Sequence, residues 1–288
     1  MATKLFLQNF TVLDFAFLCP VKGLQGESFH VSATLSGELD HQGFVMDFGR
    51  VKKLLKAKVD ELVDHRLVAA EAMPELSLQK AENPKLNFKN WSYQAPREAF
   101  TFLPGAAVSE AAIQEYLVEE IKSHLPSNVH SLEFSFASET RFKDNANFRY
   151  THGLRLHDGN CQRLFHGHRN LIEVFENQQK RADLEQELAE FFADAHFANA
   201  ATVKNISELD LILESREKLH PGIAEIEYLA PQGKFVGSLP SSTLILLDRE
   251  PSIENIAALG KRTLEKKYPG MKLAVMAYEG LNKGALAE

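Results

Sequence analysis

His166-Gly-His168 is the part of this sequence best suited to chemistry, because in an extended segment two side chains two residues apart share a face and can converge on one ion. Gly167 between them lets another backbone pass close by. His152, ending the Phe-led segment Phe148-Arg-Tyr-Thr-His152, can supply a third imidazole across a hairpin. Three imidazoles leave a coordination position open to substrate or water, as catalytic zinc requires. With no cage of Asp and Glu and no second cysteine nearby, the donors favour zinc over magnesium, calcium or an iron–sulfur cluster, and they also accommodate iron or nickel. Cys161 stands a few residues before the pair, where a neighbouring cation favours its thiolate. His157 falls in the polar turn His157-Asp-Gly-Asn160 and is expected to be exposed.

The elements that must hold these residues form the second of two similar halves, found by sliding the chain against itself by about 140 positions. Tyr93, Ala95, Pro96, Phe100, Leu103 and Pro104 are echoed by Tyr228, Ala230, Pro231, Phe235, Leu239 and Pro240. A helix signal follows each echo, with Ser109 and Ser252 as N-caps, and then a strand ending in glutamate, Glu139 or Glu279. Each half opens on a Phe-led strand, Phe10 to Asp14 in the first. There the strand Val31 to Leu35 is expected to give way to a hairpin partner, Gly43 to Gly49, and then to an amphipathic helix burying Val51, Leu54, Leu55, Val59, Leu62 and Val63. The second half has a divergent counterpart helix from Asp183 to Phe192, and Ser77 to Asn90 reads as a loop. The pattern predicts an α+β protein of two tandem units, residues 1–143 and 144–288, each an antiparallel four-stranded sheet with two helices on one face.

The repeat also predicts where the metal is not. Asp14 stands where the alignment puts His152, and Gly26-Glu-Ser28 stands where the second half has His166-Gly-His168, so the first unit lacks the ligands. His30 is out of register and reads as structural or surface. Cys19, in the apolar run Phe15 to Pro20, reads as a buried small residue.

The whole chain narrows the function classes. Its 288 residues suggest about two domains. A composition 44% hydrophobic and 25% charged is that of an ordinary folded protein. A net charge of -7 without a basic block argues against a nucleic-acid surface. The amino terminus meets polar residues before a signal core can form, and no apolar run approaches the roughly 18 residues of a membrane span, so a cytoplasmic protein is expected. Two cysteines are no disulfide framework.

Together these segments resemble the 6-pyruvoyl-tetrahydropterin synthase and 6-carboxytetrahydropterin synthase family. The shared features are a Phe-x-x-x-His segment, a cysteine shortly before His-Gly-His, an Asp-Phe-Gly strand end, a helix finishing in Asp-His, and a late strand ending in glutamate. The likeness spans nearly the full chain, twice over, with its parts divided between the halves. It implies tandem T-fold units, zinc held by His152, His166 and His168, and a catalytic Cys161. It further implies an acid–base pair at Asp64-His65, which lies in the first unit; the second unit's nearest equivalent, Asp194-Ala-His196, is interrupted. Glu279, with Glu139 as the other choice, would anchor a pterin through two parallel hydrogen bonds.

Family members form rings with sites at the junctions between units. The resemblance therefore implies a homo-oligomer with one complete site per chain, its Asp-His pair coming from the same or a neighbouring chain. The implied reaction is that of a lyase turning 7,8-dihydroneopterin triphosphate into 6-carboxytetrahydropterin on a 7-deazaguanine route. The alternatives are 6-pyruvoyl-tetrahydropterin synthesis, dihydroneopterin side-chain cleavage, or a non-catalytic pterin or purine binder.

Overall fold

The computed structural model describes residues 3–216 and 221–288. In the first half Leu13, Phe15 and Phe17 alternate with Asp14 and Ala16 along a long strand, β1 (Thr3–Cys19), giving it one apolar face. It turns back on β2 (Gly23–Gly37), with Asp14 opposite Ser28 and Ala16 opposite Gly26. Helix α1 (Phe48–Leu62) begins at Asp47, whose carboxylate accepts from Arg50 N, and buries Val51, Leu55 and Val59. Strand β3 (Leu67–Ala70) then joins β1 in parallel. Three short strands, β4 (Leu76–Gln79), β5 (Lys85–Phe88) and β6 (Trp91–Gln94), leave this sheet. The chain returns as β7 (Phe100–Leu103) beside β3, forms α2 (Glu110–Ile121) capped by the Ser109 hydroxyl, and closes with β8 (Val129–Ala137) along β2. Both helices cover the Phe15 and Val31 face.

The second half repeats this path. Strands β9 (Asn147–His152) and β10 (His166–Glu176) pair antiparallel, and the two-residue β11 (Gln179–Lys180) folds back on β10. Then come α3 (Ala182–Phe192), β12 (Ala195–Asn199), the hairpin β13 (Ile223–Ala230) and β14 (Gly233–Pro240), and β15 (Leu244–Leu247). Helix α4 (Ile253–Lys267), β16 (Leu273–Tyr278) and β17 (Gly284–Ala287) complete it. The sheet orders are β7-β3-β1-β2-β8 and β15-β12-β9-β10-β16-β17. A third sheet, β13-β14-β6-β5-β4, is built from both halves through the pairing of β14 with β6. No helix among the described residues is long and apolar enough to cross a membrane.

The α+β class and the tandem arrangement stand as the sequence indicates, with two helices on one face of each unit's sheet. The sheets are larger than four antiparallel strands, because α1 and α3 act as crossovers that return β3 and β12 parallel to β1 and β9. Residues 77–90 are not a loop. Leu76, Leu78, Leu86 and Phe88 turn one face of the β4–β5 hairpin onto the shared core, a signal too short to stand out from its polar neighbours. Residues 43–49 form no hairpin partner, since the Asp40 carboxylate accepts from the N–H groups of Gln42 and Phe44 and fixes a turn that feeds α1. The Tyr93 and Tyr228 echo also joins non-equivalent strands, β6 and β13. These aromatics are alike because they fill one core between the units, where Tyr93 packs on Phe100 and Phe165, and Tyr228 on Phe235.

The true register of the repeat comes from the turn after each first helix. His65 N donates to Asp14 O at 2.7 Å and Asp194 N to Arg149 O at 2.9 Å, and both donors have positive φ, 54° and 55°. Asp14 therefore corresponds to Arg149, and Phe17 to His152. Cross-strand pairing then equates Gln25-Gly26-Glu27 with His166-Gly167-His168, one residue away from the alignment read in the sequence.

Candidate metal centre

The β9–β10 register sets His152 directly opposite His166, with His168 one pleat further on, so all three side chains share a face. All three are fully buried. Their ring centroids are 4.3 Å (His152–His166), 5.3 Å (His152–His168) and 5.4 Å (His166–His168) apart. Two of the rings are hydrogen-bonded through Nδ1, and the third, that of His168, has a carboxylate beside its Nδ1 without a hydrogen bond. His152 Nδ1 meets the carbonyl of Pro251 at 2.8 Å, His166 Nδ1 meets that of Arg163 at 2.8 Å, and His168 Nδ1 lies 3.3 Å from the Asp14 carboxylate. An N–H on Nδ1 leaves the Nε2 lone pair for a ligand, the outer arrangement that metal-binding imidazoles use. His166 Nε2 is buried without a partner, and the Nε2 atoms of His152 and His168 are 3.3 Å apart. Two nitrogens on one tetrahedral zinc, each bonded at about 2.0–2.1 Å, are separated by about 3.3 Å. The donor set therefore fits the metal.

Gly167 does what its position suggested. A Cβ there would lie 2.8 Å from Gly26 Cα, and a Cβ on Gly26 would lie 2.2 Å from Tyr150 O and 2.4 Å from His168 N. The two units thus cross backbone to backbone beside the imidazoles, which brings first-unit residues to them.

Those residues are Asp14, Asp64 and His65. Helix α1 ends at Leu62, and the left-handed turn at His65 directs its ring toward His166 and His168, with centroids 5.2 Å and 5.8 Å away. Asp64 Oδ2 lies 2.5 Å from His65 Nδ1, and its Oδ1 accepts from Asp14 N at 3.0 Å. Cys161 sits half-buried in the connection between β9 and β10, held by Leu154 N donating to Cys161 O at 2.8 Å. Its thiol is among the groups that raise the pKa of His65. The whole constellation lies within one chain.

Among the described residues the three imidazoles whose ligand atoms all fall within 4.8 Å of one another are His65, His166 and His168; His152 is the alternative third donor, through its Nε2 contact with His168 at 3.3 Å. Charge separates His152 from His65. Burial, with the neighbouring His168, pushes His152 down to about 3, and burial with His152 and His65 holds His166 well below the ordinary 6.5, so both are neutral and ready to bind. Burial acts on His65 in the same direction, but the Asp64 carboxylate and then Cys161 raise it well above 6.5. A ring kept as imidazolium is a poor ligand and a good proton donor, which favours His152 as the third ligand and His65 as the acid.

Glu279 enters from the end of β16. Burial raises its pKa, yet His168, His152 and Lys283 more than offset this and hold the carboxyl at about 2. Lys283 Nζ lies 3.3 Å from its Oε1. Glu139 is not brought here, because its carboxylate is taken by the Arg141 side chain at 3.1 Å and by Arg141 N, with His30 3.9 Å away. Asp194 pairs with Lys22 and His196 bonds Thr151 Oγ1, so neither joins the cluster. Cys19 is half-buried, its Sγ accepting from Lys22 N. Asp14 is the residue sequence reasoning missed: it reads as a lost ligand of the first unit and lies beside His168 of the second.

The sequence profile of 6-pyruvoyl tetrahydropterin synthase matches residues 20–143 and, again, 141–288. Among solved structures, 6-pyruvoyl tetrahydropterin synthase from Plasmodium vivax is 20% identical, with 49% of this chain and 93% of that one covered at a TM-score of 0.40. The Plasmodium falciparum enzyme is 22% identical, with 47% and 91% covered and a TM-score of 0.34. No curated protein matches the chain. Because the profile accounts for both halves in turn, the chain belongs to the 6-pyruvoyl tetrahydropterin synthase family of pterin-processing lyases, carrying the family unit twice.

Proposed function

We propose that the chain is a zinc-dependent lyase that converts 7,8-dihydroneopterin triphosphate to 6-carboxytetrahydropterin, with a first unit of residues 1–143 and a second of 144–288. The observation that carries this reading is the convergence of three buried imidazoles, two of them hydrogen-bonded through Nδ1, beside His65 and Cys161. His152, His166 and His168 would hold the ion, which when bound supplies Lewis acidity toward the side-chain oxygens of the substrate and so acidifies the neighbouring C–H bonds. Cys161 would accept a proton, and His65, kept charged by Asp64, would return one. Glu279, ionised and largely buried, can accept two parallel hydrogen bonds from a pterin ring, with Lys283 yielding its place.

Copies would associate as a ring through the outer edges of the two larger sheets, where β8 and β17 are end strands. The test is turnover of 7,8-dihydroneopterin triphosphate with the product identified by mass. Chelation should abolish activity and zinc should restore it, while Cys161→Ala keeps the metal and loses about 10²–10⁴-fold in rate. Full turnover by verified metal-free protein defeats the proposal, and a pyruvoyl product or unphosphorylated-substrate cleavage reassigns the reaction.

A further inference from the structure

The turn from β16 to β17 sets Glu279 beside Lys283. Glu279 N donates to Lys283 O at 3.0 Å, so the two residues stand opposite each other across the hairpin, and Lys283 Nζ lies 3.3 Å from Glu279 Oε1. The turn itself is fastened. Gly280, with a positive φ of 63°, donates its N–H to Asn170 Oδ1 at 2.7 Å, and a Cβ there would lie 2.3 Å from Asp14 Oδ1. Leu281 is buried with Phe142 and Leu171. The fold thus fixes where both side chains start, while their charged ends differ in freedom: the Glu279 side chain is 14% exposed and that of Lys283 54%. Burial lowers the Lys283 pKa, but Glu279 and then Asp14 raise it by more, so an ammonium stands beside an ionised carboxylate.

An ammonium only donates and a carboxylate only accepts, so the pair presents a row of one donor and two acceptors. The matching row on a ligand is one acceptor followed by two donors. A 2-amino-4-oxopyrimidine ring has that edge, where the 4-oxygen, the ring N–H and the 2-amine follow in order. The two N–H groups suit the carboxylate and displace the ammonium from Oε1, and the 4-oxygen then falls beside the displaced ammonium. A ring with an amine in place of the 4-oxygen would set donor against donor, the repulsive element by which a site rejects the wrong ligand.

We propose that Lys283 is a specificity-determining residue, its ammonium donating to the 4-oxygen of a 2-amino-4-oxo heterocycle whose N–H groups are held by Glu279. That the heterocycle is a pterin rests on the lyase reading; recognition of the edge needs only the carboxylate and the ammonium. If Lys283 merely occupied Glu279 until a ligand arrived, its removal would strengthen binding, whereas removal of a donor to the ligand weakens it.

The sign is read by titrating pterin and 2,4-diaminopteridine, both uncharged in neutral solution, into zinc-loaded wild type and Lys283→Met and following ligand fluorescence. Lys283→Met is expected to bind pterin about tenfold more weakly, the loss of one hydrogen bond to a charged group, and 2,4-diaminopteridine no more weakly than wild type does. General damage to the site would lower both affinities. Lys283→Arg, which keeps a charged donor, should retain most of the pterin affinity, and in turnover Lys283→Met should raise KM with kcat little changed. Should Lys283→Met fail to fold, Lys283→Gln carries the comparison with a smaller loss. Pterin affinity unchanged or increased in Lys283→Met, or no pterin binding by the wild type, overturns the role. If pterin binding depends on Lys283 but 7,8-dihydroneopterin triphosphate is not turned over, the lyase reading fails and the recognition stands. Turnover with a KM indifferent to Lys283 would instead keep the lyase and remove the role.

Discussion

At the scale of single residues, the site separates into groups that bind and groups that orient. Asp14 is of the second kind, lying beside His168 on the side away from the Nε2 proposed to bind the ion, and Ser28 Oγ donates to the same carboxylate at 2.5 Å. Asp14→Ala is expected to weaken zinc affinity about 10–100-fold in competition with a chromophoric chelator, the usual cost of losing an outer partner. Glu139→Ala, by contrast, should leave that affinity unchanged. The three imidazoles proposed as ligands are legible in sequence because a period of two places His166 and His168 on one face and a hairpin can bring His152 opposite them. Asp14 is not, since nothing local to β1 tells that its carboxylate reaches across to another unit.

Titration adds a second expectation at this scale. Burial lowers the pKa of His152, His166 and His196, so in metal-free protein the unfolded chain takes up protons that the folded state excludes. Their contribution is complete above about pH 6.5 and declines as pH falls through 6.5 toward the folded values, with a slope of up to about 1.4 kcal/mol per pH unit for each group. His65, raised instead, contributes fully below 6.5 and loses that contribution only as pH rises, so it adds no opposing slope there. Asp14 and Glu279, both held at about 2, change only under more acid conditions. The melting temperature of chelator-treated protein should therefore fall from pH 6.5 to pH 5, and a flat profile would contradict the burial argument.

At the scale of elements, the crossing of β2 over β9 and β10 is what lets the first unit serve the second. Gly26 is its tightest point, because any Cβ there meets Tyr150 O and the His168 backbone. Backbone cannot swing aside as a flexible side chain would. Gly26→Ala is thus expected to destabilise by about 1–3 kcal/mol in denaturant unfolding, with metal affinity reduced in the fraction that folds. A neutral result would mean that the sheets part at little cost. Helices are the most readable elements, since the spacing of Val51, Leu55 and Val59 is long and regular. The β4–β5 hairpin is not, because four-residue strands give only two turns of an alternating pattern. The register of the repeat is obscured for a related reason: strongly apolar residues match one another wherever they pack, and Tyr93 and Tyr228 share a core without sharing a position.

For the whole molecule, duplication has been used asymmetrically. Where the second unit's His168 meets Asp14 of the first, the pseudo-equivalent Glu27 of the first unit meets Arg149 of the second, at 2.5 Å. An ion pair thus stands at the position corresponding to a ligand and its carboxylate, and Phe17 replaces the counterpart of His152, so the first unit's version of the centre has no imidazole donor. The same asymmetry bears on where the proposed site draws its residues. Asp64 and His65 reach the cluster from the same chain as His166 and Cys161, across a junction closed by the third sheet rather than by association. Chains carrying Asp64→Ala, mixed or co-expressed with chains carrying Cys161→Ala, should therefore recover no activity, even in oligomers shown by mass to contain both. A complementation approaching a quarter of wild-type turnover would place the acid–base pair in a neighbouring chain. The bound metal should likewise approach one zinc per chain, not two, since Phe17 and the Glu27–Arg149 pair stand where the first unit would need ligands of its own.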